Sequence, residues 1–195
     1  MYQKRYDEEA VVALYTENYL KEIYLREISK LSNIPLKTTQ RTLEHLEKNR
    51  ILKSEISGKN KYFSLNLDNI ETKQALLQAE IYKTNIFLKK HSFFKTFLKD
   101  FKEISATIII FGSFAKQKES KESDVDILII SDRKIQLLTH LLPNKLHKIQ
   151  LSEKNFIKAL NQGETFIKKI EENHIILNNH SFFVNTMWEK YARTK

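Results

Sequence analysis

Two apolar runs, residues 108–111 and 125–130, enclose a Gly112-Ser113 turn and two carboxylates, Asp124 and Asp126, and this arrangement restricts the fold more than any other stretch. Residues at i and i+2 of a strand point to one face, so the two acids stand side by side. Unpaired carboxylates held that close repel one another, whereas a hard divalent ion takes carboxylate oxygens and keeps phosphates and waters as its other ligands. Gly112 lets backbone N–H groups approach a phosphate at a helix start, and the Ser113 hydroxyl can donate to a phosphate oxygen. The segment therefore predicts a strand, a phosphate-holding turn and a second, metal-binding strand.

The Gly-Ser pair, the ten-residue spacer 114–123 and the Asp-x-Asp pair resemble the signature of the DNA polymerase beta nucleotidyltransferase superfamily. Ala115, Lys116 and Ser123 match its common forms, while Gln117 stands where a Gly often follows the basic residue. The resemblance implies Mg2+-dependent transfer of a nucleoside monophosphate from a nucleoside triphosphate to an acceptor. By motif position, Asp124 and Asp126 hold the metal and carry catalysis, and Gly112, Ser113, Lys116 and Ser123 hold the nucleotide. Active members usually carry a third carboxylate on a later strand. The candidate strand, residues 146–151, has no acid, and Gln150 or Lys148 is the expected occupant of that position. Neither replaces a carboxylate, so the sequence supports binding of one Mg2+-nucleotide and leaves two-metal chemistry open. Glu153 reads instead as part of a helix start capped by Ser152.

Residues 1–68 form a separate pattern. Helices are expected over 7–19, with Val11, Val12, Leu14 and Tyr15 inward, and over 24–31, with Leu25, Ile28 and Leu31 on one side. Turn formers Ser32 and Asn33, the anchor Ile34 and Pro35 then open a helix to about Asn49 with Thr39, Leu43 and Leu46 inward. Strands over 51–56 and 61–65 flank the hairpin turn 57–60. This order is similar to a winged helix-turn-helix domain. The resemblance implies DNA binding, with Lys37, Thr38, Gln40 and Arg41 near bases and Lys53, Lys59 and Lys61 near phosphates. Residues 37–61 hold seven basic and three acidic side chains, against five and six in residues 1–36, so positive charge gathers where a duplex would lie. The alternative is a protein-binding module whose lysines form a solvated face.

Residues 69–103 lack Gly and Pro and predict a helical connector, one helix over 70–90 and a shorter one over 92–103. Leu76, Leu77, Ile81, Ile86 and Phe87 either pack on the transferase domain or form a homodimer seam. Phe93, Phe94, Phe97 and Phe101 read as core. Residues 104–195 complete the transferase domain, with helices near 155–161, 163–172 and 181–191 and an apolar piece at 175–177. The fold class is α+β: a winged helix-turn-helix over 1–68, the connector over 69–103 and a small mixed-sheet nucleotidyltransferase domain with C-terminal helices over 104–195.

Composition narrows the partners. The chain of 195 residues has 33 basic and 24 acidic side chains, a net charge of +9, which favours polyanions such as nucleotides and nucleic acid. The absence of cysteine excludes disulfides, thiolate zinc sites and a cysteine nucleophile. His45, His91, His140, His147, His174 and His180 show no metal spacing. No apolar run approaches the roughly 20 residues of a membrane span, and no apolar core follows Met1–Arg5, so a cytoplasmic protein with no membrane partner is expected. The two resemblances together imply two functions. One is a transferase acting on a protein or RNA, as in toxin-antitoxin pairs, and coupled to a DNA-binding wing; the other is a catalytically impaired, nucleotide-binding transcriptional regulator.

Overall fold

The computed structural model describes residues 2–99, 101, 105–137 and 142–192, with side chains from residue 6 onward. Glu103, expected at the end of the second connector helix, and His140 lie outside the described residues. The chain divides into two compact units, Met1–Tyr82 with Met187–Lys195, and Lys83–Thr186.

In the first unit, α1 (Tyr2–Ala13), β1 (Ile23–Tyr24), α2 (Leu25–Ser32), α3 (Leu36–Lys48), β2 (Leu52–Ser57) and β3 (Asn60–Leu65) follow in order. The first helix ends at Ala13 rather than near Tyr19, because residues 14–16 bond three residues back (Leu14 N–H to Val11 O, Tyr15 N–H to Val12 O), the tighter spacing of a helix end. Tyr15 is fully buried and its hydroxyl donates to Phe63 O at 3.0 Å. The turn between α2 and α3 is fixed from both sides: Asn33 is left-handed (φ 56°), and Ser29 Oγ and Thr39 Oγ1 both donate to Ile34 O, at 2.7 and 3.1 Å. Leu31, expected on one side of α2 with Leu25 and Ile28, is 48% exposed, and Ile28 is the residue of α2 that is buried. β2 and β3 pair antiparallel to the Ser57↔Asn60 end, and Gly58 at φ +60° takes the first central position of their two-residue turn, as a type II′ hairpin requires. β1, too short to announce itself, adds to the other side of β3, giving the order β1-β3-β2.

The helix α4 (Ile70–Lys90) has no interior breaker and spans the boundary between the units. Along it Leu76 and Phe87 are buried, whereas Ile81 and Ile86 are each 42% exposed.

The second unit continues with α5 (Phe93–Lys99), β4 (Thr107–Phe111), α6 (Gly112–Ala115), β5 (Val125–Ile130), β6 (Leu146–Leu151), α7 (Glu153–Gln162), α8 (Thr165–Glu172), β7 (Ile175–Asn178) and α9 (His180–Ala192), the last of which passes back into the first unit. Its sheet has the order β6-β5-β4-β7, with β5 parallel to β6 and the other pairs antiparallel. β4 and β5 are buried along nearly their whole length, as their unbroken isoleucine runs require. One face of the sheet packs Ile108, Ile110, Val125, Ile127 and Ile129 against Phe87, Phe94 and Phe97, with Phe93 and Phe101 at the margin. The phenylalanine cluster is thus core. Among the described residues both helices and two sheets are present, an α+β fold. No described helix is long and apolar enough to cross a membrane.

Candidate active site

The buried strand β4 delivers the chain to Phe111, which is extended, and Gly112 then turns at φ +71° into the single-turn helix α6. A side chain at Gly112 is excluded twice. Its φ is one that L-residues rarely adopt, and a Cβ there would collide with Oδ2 of Asp126 and stand 3.1 Å from its Cγ. Phe111 pairs with Asp126 across the β4–β5 ladder, so the turn sits on the carboxylate's own register position. Ser113 follows at the start of α6, half-buried, and its carbonyl accepts the Lys118 N–H at 3.0 Å.

The loop after α6 is built to hold its shape. Lys116 is exposed, and Gln117 adopts the left-handed φ of +54°, the conformation that makes Gly a common occupant there. Glu119 binds Lys90 Nζ at 2.9 Å and lies 3.6 Å from His91 Nε2. Burial alone would raise the Glu119 carboxyl; the Lys90 hydrogen bond, a bond from its own backbone and the Lys90 and His91 charges outweigh it and bring the group below the usual range. His91 is enclosed by Phe87, Phe93, Phe94 and Phe114, and that burial lowers its imidazole, with the Glu119 charge opposing and Lys90 reinforcing the shift. Ser123 Oγ accepts the Ser120 N–H at 2.8 Å and so closes the loop. Asn144, which sequence reasoning missed, donates to Lys121 O and Ser123 O at 3.1 and 3.0 Å.

Asp124 is exposed just before β5, and Asp126 is half-buried within it. The parallel register sets Asp126 opposite His147, Ile127 opposite Lys148 and Ile129 opposite Gln150. Strand alternation then corrects the expectation for the third position. Lys148 and Gln150 belong to the other face, where Lys148 Nζ donates to Ile135 O and Gln150 Nε2 to Arg133 O. His147 takes the place beside Asp126, its Nδ1 3.0 Å from Oδ1. Only the strand pairing reveals this, since nothing in the local sequence distinguishes His147. Glu153 stays at the start of α7, where Ser152 Oγ accepts the Asn155 N–H.

Among the described residues no three His, Asp or Glu side chains converge to hold an ion by themselves. Asp126 Oδ2 nonetheless lies against the Gly112 turn, and the neighbouring Ser113 and Asp124 also carry oxygen donors. That donor set fits a hard cation whose shell is completed by phosphate and water.

In the first unit, Lys37, Gln40, Arg41 and Lys53 are exposed and Thr38 is half-buried. Lys37, Gln40 and Arg41 lie away from the buried face of α3, which is formed by Thr39, Thr42, Leu43 and Leu46. Gln40 Nε2 donates to Glu44 Oε1 at 3.0 Å. Lys59 is exposed at the hairpin tip, whereas Lys61 is held by Glu47 at 2.8 Å. Glu47 also accepts the Ser54 hydroxyl, and these bonds, Lys61 first, lower its carboxyl against a small opposing effect of burial.

No curated protein and no solved structure matches the chain. The segment that carries β4, the Gly-Ser turn and the Asp-x-Asp strand is nonetheless similar to a known family, since residues 94–182 match the family model described as Polymerase beta, Nucleotidyltransferase, which supports that superfamily for the second unit.

Proposed function

We propose that the chain transfers a nucleoside monophosphate from a Mg2+-bound nucleoside triphosphate to a hydroxyl of a protein or RNA acceptor, and that its N-terminal unit is a DNA-binding winged helix. One observation carries the transferase reading: the Gly112-Ser113 turn is seated so closely on Asp126 that a single methyl group would part them. A triphosphate lying on the turn has its phosphates against backbone N–H groups and the Ser113 hydroxyl, with Lys116 offering charge from the rim. Ser123 shapes the loop that ends in Asp124. Asp124 and Asp126 would hold Mg2+, which neutralises the triphosphate charge when bound. The acceptor oxygen attacks the α-phosphorus, the bond to the bridging oxygen breaks, pyrophosphate leaves with its electron pair, and the hydroxyl proton passes to solvent.

The winged-helix reading rests on the α2-turn-α3 arrangement, the β2–β3 hairpin and the basic outer face of α3. Lys37, Thr38, Gln40 and Arg41 then meet base edges, while Lys53, Lys59 and Lys61 meet phosphates.

A second reading is favoured by His147: with no third carboxylate beside Asp126 among the described residues, the unit binds Mg2+-nucleotide without turnover and serves as the sensor of a regulator. Incubation with labelled nucleoside triphosphates, Mg2+ and cell lysate separates the two, since only a transferase leaves label on an acceptor. Calorimetry supplies the common test. Ser113→Ala and Asp124→Asn should each weaken Mg2+-nucleotide binding, and unchanged affinity in both would refute either reading.

A further inference from the structure

The two oxygens of Asp126 face different chemistry. Oδ2 lies toward Gly112, and Oδ1 lies 3.0 Å from Nδ1 of His147. The pairing of Asp126 with His147 in the β5–β6 register fixes both side chains on one face, and His147 is 61% exposed, so an ion can reach it from solvent. Two donors bound side by side on one octahedral ion, with bonds of about 2.1 Å at a right angle, are themselves about 3.0 Å apart. The observed separation therefore suits a bridging ion as well as a hydrogen bond. The donor set decides which ion. Mg2+ demands oxygen, whereas imidazole suits Co2+, Ni2+ and Zn2+, whose affinity for nitrogen-containing sites is also intrinsically higher.

We infer that Asp126 Oδ1 and His147 form a nitrogen–oxygen cation position that selects a borderline ion such as Co2+ or Zn2+ over Mg2+, beside the all-oxygen position on the Gly112 side. The inference rests on the proposed reading of Asp126 as a cation ligand. The all-oxygen position takes the hard ion that accompanies a triphosphate; the nitrogen–oxygen position takes a different metal, with water completing its shell.

The test uses the full chain without nucleotide. Calorimetry with Co2+, Zn2+ and Mg2+ should show the first two binding more tightly than Mg2+. His147→Ala should weaken Co2+ by at least the roughly 10- to 100-fold that losing even an outer-shell partner costs. His147→Asp should instead narrow the preference for Co2+ over Mg2+, because the imidazole nitrogen is replaced by oxygen. As an independent readout, Co2+ should produce paramagnetically shifted imidazole resonances that vanish in both variants; circular dichroism verifies that each is folded. Equal affinity for Mg2+ and Co2+ in the wild type, an undiminished Co2+ affinity in His147→Ala, or shifted resonances that survive in it would each overturn the inference. Selective Co2+ binding without any binding of Mg2+-nucleotide would remove the proposed function and leave this site standing. The opposite pattern would do the reverse.

Discussion

Replacing Gly112 by alanine should be costly for two separable reasons. The first is conformational: an alanine forced to φ +71° carries about 1–2 kcal/mol that glycine does not. The second is steric. The new Cβ meets Oδ2 and Cγ of Asp126, and since Asp126 is anchored in a strand paired on both sides, the overlap costs about 1–3 kcal/mol, typical of an overpacked site. Gly112→Ala alone should therefore lose about 2–5 kcal/mol. In an Asp126→Ala background only the Asp126 Cβ remains, 3.4 Å away and in ordinary contact, so the same substitution should cost only the conformational part. The double-mutant cycle should thus return a coupling of about 1–3 kcal/mol. Chemical denaturation followed by circular dichroism is the suitable assay, because the single tryptophan, Trp188, belongs to the other unit and would report on the wrong half. Additivity within about 0.5 kcal/mol would refute the reasoning: Gly112 would then serve backbone shape alone.

At Gln117, held at φ +54°, Gln117→Gly should leave stability unchanged or raise it by up to about 1 kcal/mol, because relief of left-handed strain offsets the greater freedom of the unfolded chain; a clear loss in urea denaturation would show that the side chain supports the loop. His91 has a depressed folded-state value, so its contribution to stability is present above the unfolded value of about 6.5 and is lost as pH falls through the folded one. Melting temperatures between pH 8 and 5.5 should therefore fall more steeply for the wild type than for His91→Phe, and parallel curves would exclude the effect. On DNA, Lys59→Ala should reduce the salt slope by about one contact, whereas Lys61→Ala should reduce it less because Glu47 already holds that ammonium. Arg41→Ala should cost about 1–3 kcal/mol of sequence preference if it makes a bidentate base contact. Gel shifts across a salt series check all three, and no binding at low salt would leave the N-terminal unit as a protein-binding module.

Sequence reading worked where a signal is local. The helix α4 was legible over residues 70–90 because nothing in it interrupts the helix, and the β2–β3 hairpin because Gly58 marks its turn. The strand-turn-strand at Gly112 was legible because apolar runs flank both motif halves. Pairing was not. Whether Gln150 or His147 stands beside Asp126 depends on the register of two strands separated by a long connection, and a shift of one residue exchanges the faces. β1 was missed because two residues carry no periodicity, and the early end of α1 because three-residue bonding leaves no mark on composition. Conversely, the odd Gln117 gained its meaning only once its backbone angle was known.

The first compact unit is discontinuous, since Met187–Lys195 returns to Met1–Tyr82 after the whole of the second unit has intervened. The returning piece contributes Met187 and Trp188, both buried, and Tyr191, whose ring lies 5.5 Å from that of Tyr19. During synthesis the ribosome therefore emits the N-terminal segment well before the residues that complete its packing. Chains are synthesised at about 5–20 residues per second and domains fold as units, so the uninterrupted second unit can finish while the first still waits for the final turns of α9. A chain cut short near its end would then keep an intact second unit and lose the integrity of the first, and a premature stop would be felt first in the segment synthesised first.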